Sequence, residues 1–155
     1  MLRKLVIGAL GAAALLFSTT AFAQGTAAEA KAMLEKAVAA VKADKAKALD
    51  MFNKGEGGFL KGDLYPFCSN VSDDMIVAVG NPNAKQLIGK DARTLKDANG
   101  KAYGLEMYGA AQKPEGQITV VDYMFAKPGA DKTPVQKESF LTRVGDLICG
   151  VGYYK

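Results

Sequence analysis

The chain contains no histidine, and that absence removes the commonest general base at neutral pH. No Ser-His-Asp or Cys-His arrangement can be assembled, and no zinc site that depends on imidazole. Cysteine is almost absent as well. Cys68 and Cys149 are the only two, far apart in the chain, which excludes a CxxC redox motif. Gly55, Gly57 and Gly58 lack the helix-opening context of a phosphate loop. Asp97, Asn99 and Gly100 echo a calcium loop without its DxDxDG spacing, so neither a metal nor a cofactor is expected. The pair Asp73-Asp74 falls in a turn and reads as solvated, unlike a buried acid–base pair. There is no basic stripe: lysines are interleaved with acids, which argues against a nucleic-acid partner. These absences disfavour an enzyme.

Long apolar runs are also scarce. The one that stands out is Leu5 to Phe17, behind the basic pair Arg3-Lys4 and ahead of Ser18-Thr19-Thr20 and Ala21-Phe22-Ala23. It is too short for a membrane span, which needs about 20 apolar residues, and the small-x-small pattern suits signal peptidase. Residues 1–23 are therefore expected to be a signal peptide cut between Ala23 and Gln24, leaving no membrane anchor after processing. Loss of Arg3 and Lys4 lowers the formal net charge from +4 to +2. The remainder, 24–155, suits one domain with a single core. An exported location, the periplasm, favours a Cys68–Cys149 disulfide over two buried thiols.

What is present divides into a helical segment, 24–55, and a sheet core, 59–155. Ala30, Met33, Leu34, Ala37, Val38 and Val41 form one helical stripe, continued by Leu49 and Phe52. Lys45 interrupts the stripe and Asp44 can cap a second helix, so a break is expected near Ala43–Asp44. Gly55 to Gly58 ends the helical segment. Strands are expected over Leu64–Ser69 and Met75–Val79. A short helix is expected over Ala102–Gln112. Further strands follow at Gln117–Phe125, Val135–Val144 and Leu147–Tyr154. The order is that of an α+β domain on an antiparallel sheet.

Three pieces carry a family resemblance: FLKGDLYPFC (Phe59–Cys68), GNPNAKQLIGKDARTLKDANGKAY (Gly80–Tyr103) and KESFLTRVGDLICGVGYYK (Lys137–Lys155). In this order and spacing, the stretch from about Phe59 to Lys155 resembles the single Cache domains, in particular the stand-alone periplasmic kind. The resemblance implies a PAS-like (profilin-like) sheet of five antiparallel strands in order 2-1-5-4-3. A long N-terminal helix would cross one face, with short helices between strands 2 and 3. That order makes the first and last strands neighbours and would bring Cys68 beside Cys149. One departure is evident: relatives often read Ala-His before the Gly-Asn-Pro turn, whereas this chain reads Ala78-Val79.

The resemblance further implies a pocket for a small metabolite, often a short carboxylate. Such a site asks for a cation, one or two aromatic hydroxyls and an apolar wall. Lys137 is the candidate cation, because it shares a strand face with Val135 and Leu141. A solvated edge lysine is the bland alternative. Ser139 belongs to the same Lys-x-Ser-Phe motif. Tyr123 on the neighbouring strand can supply a hydroxyl, and Tyr103 and Met107 on the short helix can form a lid. Core packing is an even alternative for each aromatic. Tyr65 reads as core, and Tyr153-Tyr154 as sheet packing plus surface. The expected function is a periplasmic sensory module that binds a small molecule and signals through a separate membrane receptor or sensor kinase, with homodimerisation through the N-terminal helix open. The alternative is a structural or interaction protein whose pocket is filled by its own side chains.

Overall fold

The computed structural model describes residues 24–155. The expected signal peptide and the Ala23 side of its cleavage site lie outside the described residues; Gln24 is the first residue within them. Thr26 caps helix α1 (Ala27–Ala43) through a reciprocal capping box with Glu29. The break falls where the sequence placed it. The Asp44 amide donates back to Ala40 and closes α1, while its carboxylate accepts from the Lys47 amide and opens α2 (Lys45–Lys54). Gly55 then ends α2 in the left-handed region, at φ 70°, where a side chain would be strained.

Five strands follow: β1 (Pro66–Asn70), β2 (Ile76–Val79), β3 (Thr119–Ala126), β4 (Pro134–Val144) and β5 (Leu147–Tyr154). They form one antiparallel sheet in the order β2-β1-β5-β4-β3. The first strand begins later than its sequence suggests. Leu64 is taken up in a tight turn with Lys61, and Pro66, which has no N–H to donate, sits at the strand's start.

The two faces of the sheet are used differently. One is covered by α1 and α2, whose buried stripe of Ala30, Met33, Leu34, Ala37, Val41 and Phe52 packs on Cys68, Ala78, Phe140, Val144, Leu147, Cys149 and Val151. The other carries Tyr65, Phe67, Ile76, Val121, Tyr123, Leu141 and Ile148. It is roofed by the chain between β2 and β3: 3₁₀ turns at Pro82–Leu87 and Ala92–Thr94, helix α3 (Tyr103–Tyr108) and a 3₁₀ turn at Gly109–Gln112. The central pair β1·β5 sets Cys68 directly opposite Cys149. Their sulfurs are bonded, closing a separation of 81 residues.

Candidate functional site

Strand alternation directs Lys137 to the roofed face, with Ser139 and Leu141 on the same side of β4. Its cross-strand partners are Tyr123 on β3 and Tyr154 on β5. The residue is 1% exposed, an unusual position for a lysine. Space for its stem comes from Gly152, opposite Ser139 on β5. A Cβ there would lie 2.3 Å from Lys137 Cε and 2.3 Å from Ser139 Oγ.

The ammonium end is enclosed by aromatic rings. Nζ lies 4.1 Å from the Tyr65 centroid, 5.2 Å from Tyr154, 5.4 Å from Phe125, 5.6 Å from Phe67 and 5.9 Å from Tyr123. Ring faces attract a cation, but they replace water poorly. Nζ donates one hydrogen bond to protein, 2.8 Å to the Tyr65 hydroxyl. Among the described residues no carboxylate lies within ion-pair distance of it. The acid that acts on it from further off, Asp63, accepts from the Gly25 amide at 2.8 Å and faces Lys127 at 3.7 Å. Burial consequently pulls the Lys137 pKa down to about 7, against a smaller upward pull from Asp63.

A hydroxyl network backs the amine. Tyr65 Oη lies 3.3 Å from Tyr154 Oη and accepts from Asn81 Nδ2 at 3.3 Å, while Tyr154 Oη donates to the Ala126 carbonyl at 2.8 Å. Tyr123 Oη and Ser139 Oγ are 2.9 Å apart. Burial raises the pKa of Tyr65 and Tyr123 well above the ordinary tyrosine value, so both stay protonated.

Between this face and its roof is a cavity of about 60 Å³, with Lys137 in its wall. Tyr65, Phe67, Tyr123, Phe125, Leu141 and Ile148 line the sheet side, and Leu87, Leu95, Tyr103 and Met107 the roof. Tyr103 stacks on Tyr123 with centroids 4.3 Å apart and planes 8° from parallel. Leu87, Tyr103 and Phe125 also border a wider outer depression of about 290 Å³ that includes Asn81, Lys96 and Lys132.

Several contacts hold the roof, the Gly89 amide on the Ile76 carbonyl and the Ala92 amide on the Asp74 carbonyl among them, and two further points set the position of α3. Asp97 accepts from the amides of Asn99 and Lys101 and, on its other oxygen, from Met124 of β3 at 3.0 Å. This explains the calcium-loop echo as a loop that ties itself to the sheet. The second point is the contact of α3 with the turn at Ala92–Thr94, which Gly104 makes possible: a Cβ there would sit 1.9 Å from the Ala92 carbonyl oxygen. Backbone on both sides leaves nothing flexible to yield. Gly104→Ala should therefore destabilise the domain by about 1–3 kcal/mol and loosen the Tyr103–Tyr123 stack. Urea unfolding and near-UV circular dichroism check this; a native tyrosine signal with unchanged stability would contradict it.

A family model described as Single Cache domain 2 matches residues 15–152. The chain belongs to this family. No curated protein matches it significantly. Solved structures of similar fold include the periplasmic sensor domain of a chemotaxis protein, with TM-score 0.59, 23% identity, and coverage of 80% of this chain and 86% of that one. Another is a methyl-accepting chemotaxis protein from Vibrio parahaemolyticus, with TM-score 0.63, 23% identity, and coverage of 82% and 86%. A third is a Cache chemosensory domain described for carboxylic acid recognition, with TM-score 0.57, 24% identity, and coverage of 80% and 84%. At these identities the likeness is one of fold.

In this Cache domain, four of the five residues singled out from sequence line one cavity: Lys137, Tyr123, Tyr103 and Met107. Ser139 stands behind them, bonded to the Tyr123 hydroxyl. Tyr65, buried in the core as expected, and Tyr154, the packed member of its pair, also reach the Lys137 amine. Tyr65 is a cavity residue and the hydrogen-bond partner of Lys137. One assignment, that of Asp74, is corrected: it is not solvated. Its side chain is 4% exposed and lines the cavity, in a backbone conformation at φ 57° that few residues other than glycine adopt. Burial raises its carboxyl pKa, opposed by Arg93 at 3.3 Å. A positive φ in an Asp-Asp turn leaves no mark in sequence, and the roof that buries Asp74 comes from a distant segment. Among the described residues, no cluster of three or more acids or cysteines is placed to hold a metal, and no helix is long and apolar enough to cross a membrane.

Proposed function

We propose that this Cache domain is a periplasmic, non-enzymatic sensory module that binds a short-chain carboxylate and signals through a separate membrane receptor or sensor kinase. The observation that carries this reading is the buried amine of Lys137. It faces an apolar, aromatic cavity with a tyrosine hydroxyl beside it and no carboxylate of the protein paired to it. A ligand carboxylate would supply the missing counter-charge and accept a charge-assisted hydrogen bond from the ammonium. Size supports a small ligand. At roughly 10–15 Å³ per water in the same measure, about 60 Å³ suits acetate, propionate, pyruvate or lactate. The carboxylic acid recognition described for one structural relative agrees with this class.

Acetate, propionate, pyruvate or lactate should raise the melting temperature, since a ligand that binds only the native state stabilises it. Lys137→Ala should remove the shift. A charge-assisted hydrogen bond contributes about 1.5–3 kcal/mol, so affinity should fall about ten-fold or more. Tyr123→Phe should cost less, because the ring and its stack remain. The pH dependence has a defined sign. The ligand needs the ammonium form, so affinity should be highest below about pH 7 and weaken as pH rises above it. A Lys137→Ala domain that binds a confirmed carboxylate as tightly as wild type would sink the site. If no small carboxylate shifts melting, the structural or interaction alternative takes its place.

A further inference from the structure

We propose that Lys137 is also a carbonyl-reactive amine, able to form a reversible imine with a small, uncharged aldehyde or methyl ketone admitted to the cavity. Three geometric observations carry this beyond non-covalent sensing. The amine is fully enclosed, yet its Nζ makes one protein hydrogen bond, and that to a neutral hydroxyl. No carboxylate holds it as an ammonium at ion-pair distance among the described residues. Its surroundings are the rings of Tyr65, Tyr154, Phe125, Phe67 and Tyr123. A lysine desolvated in an apolar pocket is the setting in which an amine becomes nucleophilic near neutral pH.

The step balances without an oxidant or reductant. The Nζ lone pair attacks the carbonyl carbon, the C–N bond forms and the C=O π bond breaks. The oxygen takes a proton, giving a carbinolamine. Transfer of a second proton to that hydroxyl releases water as the C=N bond forms. Tyr65 Oη, 2.8 Å from Nζ, is placed to pass protons in both stages. Tyr154 and the Ala126 carbonyl hold it in orientation. The cavity has no second cation in its wall, since the remaining lining groups are apolar, aromatic, the hydroxyl residue Ser69 or, at the β1–β2 turn, the acid Asp74. The substrate class is for that reason an uncharged carbonyl rather than an oxo acid.

Other titratable groups near Lys137 do not compete for the role. Tyr65 precedes β1, Tyr123 comes from β3, Tyr154 from β5, and Tyr103 from the roof. All four have pKa values raised by burial. Asp63, from the loop before Tyr65, pulls the amine the other way. At about pH 7 a depressed lysine holds on the order of a thousand-fold more free amine than an ordinary one.

The test treats the intact mature domain with propionaldehyde and cyanoborohydride at about pH 7, followed by peptide mapping over time. Lys137 should be propylated about ten-fold or more faster than the exposed lysines, and millimolar acetate should slow Lys137 alone. Labelling of Lys137 at or below the rate of the surface lysines overturns the inference, whether access or reactivity is the cause. The outcomes separate the two readings. Fast labelling that acetate leaves unchanged keeps the imine site and removes the carboxylate site. An acetate-dependent melting shift with Lys137 unlabelled does the reverse.

Discussion

Lys137→Met is expected to make the unliganded domain more stable near neutral pH, by several kcal/mol, while abolishing carboxylate binding. Lys137 goes from an unfolded value of 10.5 to about 7 when folded. At about 1.4 kcal/mol per unit, this costs about 5 kcal/mol wherever both states are protonated. Losing the bond to Tyr65 takes back about 1 kcal/mol. The sign follows from proton counts. Between about pH 7 and 10.5 the unfolded chain holds a proton on Lys137 that the folded chain has released. Wild-type stability should therefore rise with pH across this window, and level off below it. The methionine variant, of similar length and without charge, should lack this rise. The stability gap between the two should be widest below about pH 7 and shrink toward pH 10.5. At higher pH both should weaken, because tyrosines with raised pKa values such as Tyr103, at about 12, hold protons the unfolded chain gives up. Urea unfolding at intervals from neutral to alkaline pH measures the gap. A variant less stable than wild type at neutral pH would mean that Lys137 is satisfied by partners in the apo domain and is not held at a cost.

The expected gain explains why the lysine is worth attention. A core position that would be more stable as methionine, yet is shaped for lysine by Gly152 and five rings, is held for something other than stability. Both proposals for the cavity draw on that same feature: a counter-charge from a carboxylate, or a bond to a carbonyl, relieves a group the protein itself leaves with one hydrogen bond.

How far the sequence reveals this depends on the distance between the residues involved. The α1/α2 break was legible because Asp44 is both stop and cap within one short stretch. The last strand was legible to its end residues because Gly145-Asp146 punctuates its start. Lys137 could be singled out because alternation along β4 placed it with apolar neighbours. Its hydrogen-bond partner could not, since Tyr65 is 72 residues away and a buried tyrosine reads equally well as packing. The same holds for Tyr154, whose hydroxyl reaches Ala126 at the end of β3, two strands away in the sheet. Residues before β1 read as strand because Leu64 and Tyr65 continue the apolar run into it; the Lys61–Leu64 turn that overrides this is a local one, closed by reciprocal backbone bonds around Gly62 at φ 60°. Asp74 was missed for the reason most damaging to a site assignment: the segment that buries it, Ala92–Thr94 with its Arg93, is placed only when the roof closes.

Breaking the Cys68–Cys149 bond should cost about 4 kcal/mol in the chain-entropy model, since it closes a loop spanning 81 positions. For a domain of this size the melting temperature should fall by about 10–20 °C. The bond joins β1 to β5, the inner pair of the sheet. Both cysteines are buried against α1 and α2, so native protein should resist reduction and alkylation until it opens. β1 and the segment before it also carry Phe67 and Tyr65. A domain loosened at this seam should lose the ring and the hydroxyl that flank the Lys137 amine. Carboxylate-dependent stabilisation should then fall along with the melting temperature. Two comparisons isolate the cross-link from side-chain loss. Oxidised against reduced wild type changes only the bond, while the double Cys68→Ala, Cys149→Ala variant also removes two buried sulfurs. The reduced protein should recover part of the difference between oxidised wild type and the double variant, because its thiols still fill the core. Equal stability of the oxidised and reduced forms would show that the β1–β5 pairing and the helices above it already hold this seam, and that the bond constrains nothing the fold had left free.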